Sequence, residues 1–110
     1  MIFSRTVSRV IAAMSTLTGP VAALAEISQM GDENLGSWLR EYEGYRGAFV
    51  FVDEQAQRAR LVTLWESRAD EERARTSRGA MRDRLATTAG MEVVDFGVFE
   101  VSAWELVPQP

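Results

Sequence analysis

The side chains best suited to chemistry in this sequence are aromatic residues and arginines. Trp38 and Tyr42 are four residues apart, which places them on one face of a helix, and Trp65 ends a strand-like segment. Aromatic walls can enclose an electron-rich ring, and a tyrosine hydroxyl that reaches a cavity can orient a phenol or act as an acid. These three residues are therefore candidates for the wall of a pocket that binds a small aromatic molecule.

A run of arginines is the other candidate group. It consists of Arg68, Arg73, Arg75, Arg78, Arg82 and Arg84, interspersed with Asp70, Glu71, Glu72 and Asp83. Most of these charges are expected to form weak ion pairs on a solvated face. A guanidinium carries a planar fork of donors, so one of Arg73, Arg78 or Arg82 turned inward would hold a phenolate or a carboxylate. We take Arg78 as the candidate.

The aromatic residues also have a structural interpretation. A large side chain at the end of a strand, such as Trp65, packs under a helix whether or not a ligand is bound. Trp38 and Tyr42 belong to an apolar helical stripe of the kind that usually forms core. The sequence leaves both interpretations open, and it identifies no catalytic residue.

The composition excludes several kinds of site. The 110 residues include no histidine and no cysteine, which removes the commonest base near neutral pH, the commonest zinc ligands and any thiolate nucleophile. Twelve basic residues stand against sixteen acidic ones, and the net charge of -4 disfavours general attraction to nucleic acid or an anionic membrane. We therefore expect a cytoplasmic protein with no metal, no cofactor, no nucleic-acid partner and no membrane association.

The N-terminal segment has two interpretations. Arg5 and Arg9, the run from Val10 to Leu24 and the triplet Ala23-Leu24-Ala25 resemble a secretory signal with its cleavage site. Polar residues dilute that run, however, and residues 2–10 alternate as a strand does. We therefore expect residues 2–10 to form the first strand, with a signal peptide as the alternative.

Hydrophobic spacing and capping residues predict a strand, a helix, two strands, a helix and a strand. The predicted elements are a strand over 2–10, a helix from Pro20 to Glu43 broken near Gly31-Asp32, strands over 48–53 and 58–66, a helix over 67–89 and a strand over 92–101, with 104–110 as a C-terminal tail. This is the order of a ferredoxin-like α+β fold, βαββαβ, whose four-stranded antiparallel sheet carries both helices on one face.

The second helix is expected to leave a cavity above the sheet. Its predicted inward positions are mostly small or polar: Ala69, Arg73, Thr76, Ser77, Ala80, Arg84 and Thr88. A small aromatic ligand would fit there, unless Met81 and Leu85 fill the space. The opposite face of the sheet remains apolar and uncovered, which predicts a homodimer packed sheet to sheet.

The turn Gly44-Tyr45-Arg46-Gly47-Ala48, the strand that follows it to Asp53, and Leu64-Trp65-Glu66-Ser67 before an acid-rich helix carry a family resemblance. They resemble the antibiotic biosynthesis monooxygenase (ABM) domain of the dimeric α+β barrel superfamily, over nearly the whole chain. The resemblance implies a dimeric α+β barrel, a pocket in each subunit between sheet and helices, and a role for Trp65 in binding substrate or an intermediate. A haem-degrading member would need a histidine, which is absent here.

The resulting hypothesis is a single ABM-like domain over residues 1–110 that forms a homodimer and oxygenates a small aromatic or quinol-like compound without a cofactor. The substrate would supply electrons to dioxygen, while the protein holds it and stabilises an oxyanion. The predicted substrate-binding residues are Trp65, Tyr42, Trp38 and Arg78. The alternatives are a non-catalytic ligand-binding or scaffolding dimer, and a lactone or polyketide isomerase or cyclase of the same superfamily.

Overall fold

The structure is a computed structural model that describes residues 2–4, 10–30 and 36–108. Its elements are β1 (Ile2–Ser4), β2 (Ile11–Thr18), α1 (Val21–Met30), α2 (Gly36–Leu39), β3 (Tyr45–Asp53), β4 (Arg58–Trp65), α3 (Arg68–Ala89), β5 (Glu92–Glu100) and β6 (Trp104–Leu106). Within these residues, an antiparallel sheet has the order β3-β4-β2-β5, and β1 pairs with β6 separately. The predicted ferredoxin-like α+β fold is confirmed.

The core lies between the sheet and the helices in two clusters. In the first, Leu17 of β2 and Ala59 of β4 are paired in register and pack with Leu24 of α1 and Ala86 of α3. The second cluster is built around the other end of the same strands: Ile11, Ala13, Trp65, Leu39 and Ala74. Alternation along β3 and β4 decides which side chains enter these clusters, as the sequence predicts.

Helix α3 lies within the predicted range 67–89 and is capped at both ends. Ser67 Oγ accepts a hydrogen bond of 3.1 Å from the backbone N–H of Asp70, and Gly90 adopts the left-handed conformation that closes the helix. Although α3 has 22 residues, it is strongly charged. Among the described residues, no helix is both long and apolar enough to cross a membrane.

The face of α3 that packs on the sheet differs from the predicted one. All seven predicted inward positions are exposed. The buried side chains belong to a stripe shifted around the helix, Asp70, Glu71, Ala74, Arg78, Ala86 and Ala89. Of the three charged residues on this stripe, Glu71 and Arg78 pair with each other, and small alanines let the helix approach the sheet. A pattern based on polarity alone misses such a stripe.

The prediction of the first sheet strand was wrong. Strand β2, which lies between β4 and β5, is Ile11–Thr18, and it comes from the apolar run that resembles a secretory signal. Because β2 has neighbours on both sides and is mostly buried, it shows no clear alternation. Ile2–Ser4 does form a strand, but it pairs with Trp104–Leu106 from the predicted C-terminal tail. Residues 5–9 lie outside the described residues.

The first helix is divided as predicted, into α1 and α2. The second piece, Gly36–Leu39, is shorter than the predicted 33–43, and Asp32, at the predicted break, lies outside the described residues. Gly44 lies in the turn before β3, whereas Gly47 lies inside β3 at a shift of register.

Strand β5 contains an irregularity that changes two predicted side-chain positions. The register against β2 shifts between Thr16 and Leu17, so Leu17 lies opposite Val93 and Val94 is passed over. As a result Val93 packs against the core and Val94 is exposed. Uninterrupted alternation would place Val94 on the same face as Phe96 and Val93 on the opposite face.

The sheet face opposite the helices carries exposed aromatic side chains. Phe49 and Phe51 are stacked at a centroid distance of 5.7 Å. Phe51 and Phe99 are each 53% exposed, and the ring of Phe99 lies against Gly97. This face therefore presents a large apolar surface at both edge strands of the sheet.

Candidate functional site

A pocket lies between α3 and the sheet. Its enclosed cavity is about 20 Å³, and the space including its open mouth is about 330 Å³. Its lining consists of Ser15, Leu39, Leu61, Thr63, Arg78, Arg82 and Leu85. The three leucines make one part of the wall apolar, while two guanidinium groups and two hydroxyls make the rest polar. The pocket is thus suited to an apolar body that carries a polar group.

The lining residues are positioned by regular elements. Ser15 of β2 lies opposite Leu61 of β4, and Thr63 follows two residues later on the same face. Arg78, Arg82 and Leu85 follow one another at spacings of four and three residues along α3, so they share one side of the helix. A site held by strands and a long helix is more rigid than one on loops.

An aromatic cluster lies behind the pocket wall. The ring of Trp65, which has no exposed surface, meets Tyr42 at 6.2 Å and Tyr45 at 5.7 Å, both edge to face. Trp38 meets Tyr42 at 5.0 Å in the same manner. The indole Nε1 of Trp65 donates a hydrogen bond of 2.8 Å to Thr63 Oγ1. The cluster therefore contacts the pocket through the Thr63 side chain.

Of the four predicted site residues, Arg78 lines this pocket, and the three aromatic residues do not. Leu39 and Thr63 form the wall instead, and each also packs against or bonds to Trp65. Sequence reasoning missed Ser15 because its strand was misassigned. It missed Thr63 as well, although the position two residues before Trp65 on the same strand face was a usable signal.

A buried carboxylate organises the arginines of α3. Glu71 is fully buried and accepts hydrogen bonds from Arg75 and from Arg78. Arg78 is only 6% exposed, and its Nε has no partner among the described residues. Burial lowers the pKa of the Arg78 guanidinium, against the opposing effect of Glu71, whereas the hydrogen bond to Glu71 raises the pKa of Arg75.

Three guanidinium groups surround the ring of Phe96. The Cζ atoms of Arg75, Arg78 and Arg82 lie 5.9, 5.4 and 5.6 Å from its centroid, within the range of cation–π attraction. Arg82 also donates from Nη1 to Ser15 Oγ at 3.2 Å and from Nε to the exposed Asp83 at 3.0 Å. These contacts hold the arginines over the sheet, close to the pocket.

The turn before β3 fixes the strand that carries Trp65. The backbone N–H of Glu66 donates a hydrogen bond of 2.8 Å to the carbonyl of Gly44. Next in the chain, Tyr45 lies opposite Trp65, and burial raises the pKa of the Tyr45 phenol against the opposing effect of Arg40. Tyr45 is therefore a neutral hydroxyl at physiological pH.

Metal ligands are not gathered in the part of the chain that the structure describes. No group of three or more histidine, cysteine, aspartate or glutamate side chains there could hold a metal ion.

No family model matches the chain, and no curated protein matches it. Solved structures do match. A monooxygenase from the gene ActVA-Orf6 of Streptomyces coelicolor, in complex with the ligand nanaomycin D, is 12% identical with a TM-score of 0.60, over 94% of this chain and 96% of that one. SnoaB, a cofactor-independent oxygenase from Streptomyces nogalater, is 12% identical with a TM-score of 0.59, over 92% and 99%.

A third solved protein, from Shewanella loihica PV-4, is 22% identical with a TM-score of 0.56, over 86% of this chain and 95% of that one. At these identities the likeness shows a shared fold. The chain shares the ferredoxin-like fold of these three solved proteins.

Proposed function

We propose that this chain is a single ABM-like domain that works in the cytoplasm as a homodimeric, cofactor-independent monooxygenase of a small aromatic or quinol-like compound. The observation that carries the proposal is the pocket between α3 and the sheet, with an apolar wall and a cluster of hydrogen-bond donors. The fold of the chain supports the proposal, because SnoaB, which has the same fold, is a cofactor-independent oxygenase. A fold alone does not fix a function, so the chemistry of the pocket has to decide.

The lining residues suit the steps that such a reaction needs. The substrate ring packs on Leu39, Leu61 and Leu85, and Arg78 and Arg82 stabilise the oxyanion left when a phenol loses its proton. The electron-rich anion then reduces dioxygen. One oxygen atom forms a bond to substrate carbon, the O–O bond breaks, and the other atom leaves as water with the two hydrogens that the substrate loses.

The three predicted aromatic residues have a supporting place in this proposal. Trp65 holds the Thr63 hydroxyl at the wall, and Tyr42 and Trp38 pack behind it. We propose that Arg78 contacts the substrate and that Trp65, Tyr42 and Trp38 fix the shape of the pocket. They are positioning residues in this scheme, since only the wall residues reach the ligand.

The homodimer is proposed from the exposed face of the sheet. Phe49 and Phe51 on one edge strand and Phe99 on the other are half-exposed, and burial of such a patch is the usual driving force for association. Two copies packed sheet to sheet would cover it. The pocket lies on the opposite face of the sheet, under α3, so each copy keeps its own site.

One observation favours a non-catalytic ligand-binding or scaffolding dimer as the second candidate. The described residues that line the pocket include no carboxylate, so the wall offers no side chain that readily takes up a proton. A monooxygenase can use a substrate that is already ionised, or one that loses its proton to water. An isomerase or cyclase needs a proton shuttle and is less compatible with this wall.

Oxygen uptake by the purified, metal-free protein with anthrone, hydroquinone and naphthol compounds tests the proposal. We expect uptake above the buffer rate, with one dioxygen used per substrate molecule. It should fall at least 10-fold in Arg82→Gln, which removes a donor, and stay unchanged in Arg84→Gln, whose side chain is exposed on the same helix. Quenching of tryptophan fluorescence without oxygen uptake would favour the binding protein instead.

A further inference from the structure

The polar side of the pocket presents hydrogen-bond donors that have no acceptor. Ser15, which is 2% exposed, accepts at Oγ from Arg82 Nη1. A serine hydroxyl has one proton of its own to donate. Within the described residues no acceptor receives that proton.

Thr63, on the neighbouring strand, also has a hydroxyl proton without an acceptor. It is 6% exposed, and its Oγ1 accepts from Trp65 Nε1, so its own proton is also left to donate. Ser15 and Thr63 lie diagonally across the β2–β4 pair on the face toward α3. Their two hydroxyls therefore line one pocket as donors.

The guanidinium of Arg78 adds a third unused donor. Its Nε is buried and has no partner among the described residues, although leaving such a group unpaired is costly. Its Nη2 is already bonded to Glu71. A ligand oxygen beside Nε would satisfy a donor that the chain itself does not satisfy.

The charges near the pocket do not cancel. Arg75, Arg78 and Arg82 surround Phe96, and their carboxylate partners are Glu71, which is buried, and Asp83, which is exposed to solvent. Burial lowers the pKa of Arg78, against the opposing effect of Glu71, and repulsion from Arg82 and Arg75 lowers it further. An anion in the pocket would offset this excess of positive charge.

The size of the pocket limits the ligand. The enclosed cavity is small, about 20 Å³, and the volume of 330 Å³ includes the open mouth. A ring that packs on the three leucines therefore extends into the open mouth, and a single ring needs the least of this space.

We propose that the ligand of this pocket is a one-ring aromatic carboxylate, whose ring packs on Leu39, Leu61 and Leu85 and whose carboxylate accepts from Arg78, Arg82 and the hydroxyls of Ser15 and Thr63. This inference rests on the proposed function in one respect, which is that both place the ligand in the same pocket. A carboxylate is the anion assigned because its two oxygens match a planar fork of donors.

Isothermal titration of the full chain with sodium benzoate tests this, with benzamide as the neutral isostere and inorganic phosphate as an anion without a ring. We expect benzoate to bind at least 10-fold more tightly than either. Arg82→Gln should weaken benzoate binding roughly 10-fold and Ser15→Ala roughly 5-fold, the effects of losing one charged and one neutral donor. Arg84→Gln should bind as the wild type does.

Three outcomes of these titrations contradict the proposal. Equal binding of benzoate and benzamide would overturn the proposal, as would phosphate binding as tight as benzoate. Unchanged benzoate binding in both Arg82→Gln and Ser15→Ala would overturn it too. Ser15→Ala removes one oxygen atom, so this variant keeps the test valid if Arg82→Gln does not fold.

The two proposals fail in different ways. If neutral hydroquinones are oxygenated but benzoate does not bind, the carboxylate assignment is wrong and the monooxygenase proposal stands. If benzoate binds as described but no quinol, with or without a carboxylate, consumes oxygen, the carboxylate assignment stands and the monooxygenase proposal is wrong.

Discussion

Trp65 and Thr63 are joined by a hydrogen bond within a single strand, in which the indole Nε1 donates to Thr63 Oγ1 at 2.8 Å. The two residues are two positions apart, so both project toward the helices. Trp65 is fully buried, whereas Thr63 lines the pocket. The bond therefore links the aromatic core to the wall of the candidate site.

Thr63→Val should destabilise the protein through this bond. Valine keeps the shape of threonine but removes the acceptor, which leaves the Trp65 N–H buried and unpaired. We expect the free energy of unfolding to fall by about 1–3 kcal/mol, measured by urea denaturation. Thr63→Ser keeps the oxygen and should retain more of the stability. Equal midpoints for wild type and Thr63→Val would show that the bond contributes nothing.

Gly44 and Gly90 have nearly the same positive φ, 83° and 79°, in different surroundings. A Cβ at Gly90 would meet nothing within 4 Å, whereas one at Gly44 would overlap the Asp70 carboxyl. We expect Gly90→Ala to cost about 1 kcal/mol of strain. Gly44→Ala should cost at least about 2 kcal/mol more, because Asp70 accepts from Ser67 and has to move.

Thermal and urea unfolding of the two glycine variants measure this difference. The pair is a matched control, since the left-handed strain is common to both. If the two variants lose the same stability, the contact between Gly44 and Asp70 is not a constraint on the turn that precedes β3.

Phe51→Glu should dissociate the proposed homodimer. Phe51 is 53% exposed and stacks on Phe49, so a charge placed there would lie within a sheet-to-sheet interface. We expect the wild type to sediment as a dimer at micromolar concentration and Phe51→Glu to sediment as a monomer. Val21→Glu, at an exposed position of α1, should remain dimeric. A monomeric wild type would contradict the proposed homodimer and its barrel.

Tyr45 should ionise at higher pH than an ordinary tyrosine. Burial raises the pKa of its phenol above the usual value of about 10, so the folded chain holds this proton after the unfolded chain has lost it. The contribution of Tyr45 to stability is therefore fully present below pH 10 and is lost as pH rises through the folded pKa.

Ultraviolet absorbance of ionised tyrosine checks this, because the chain has only two tyrosines. The difference between wild type and Tyr45→Phe isolates the Tyr45 transition. A Tyr45 transition at or below the usual value would contradict the burial of its hydroxyl.

Elements with strong local signals were predictable from the sequence. Strands β3 and β4 are apolar runs of strand length on either side of a short polar connection, and α3 is bounded by the capping residues Ser67 and Gly90. Strand β2 was not predictable in this way. It is covered on both sides, so Ile11–Thr18 lacks alternation and resembles a secretory signal instead.

The candidate site was predictable only in part, because it depends on pairings between distant residues. Arg78 follows from the chemistry of a guanidinium, but its burial depends on its pairing with Glu71, about two turns away on α3. Ser15 belongs to the site because Arg82, on another element, donates to it. Tertiary contacts of this kind leave no periodic trace in the sequence.

The most direct test of the central claim is to follow isotopically labelled dioxygen into product, using the metal-free protein with hydroquinone and anthrone substrates. We expect one labelled oxygen atom in each product molecule and the other in water, at a rate that falls at least 10-fold in Arg82→Gln and is unchanged in Arg84→Gln. Unlabelled product, release of hydrogen peroxide in place of water, or the same labelling without protein would contradict it.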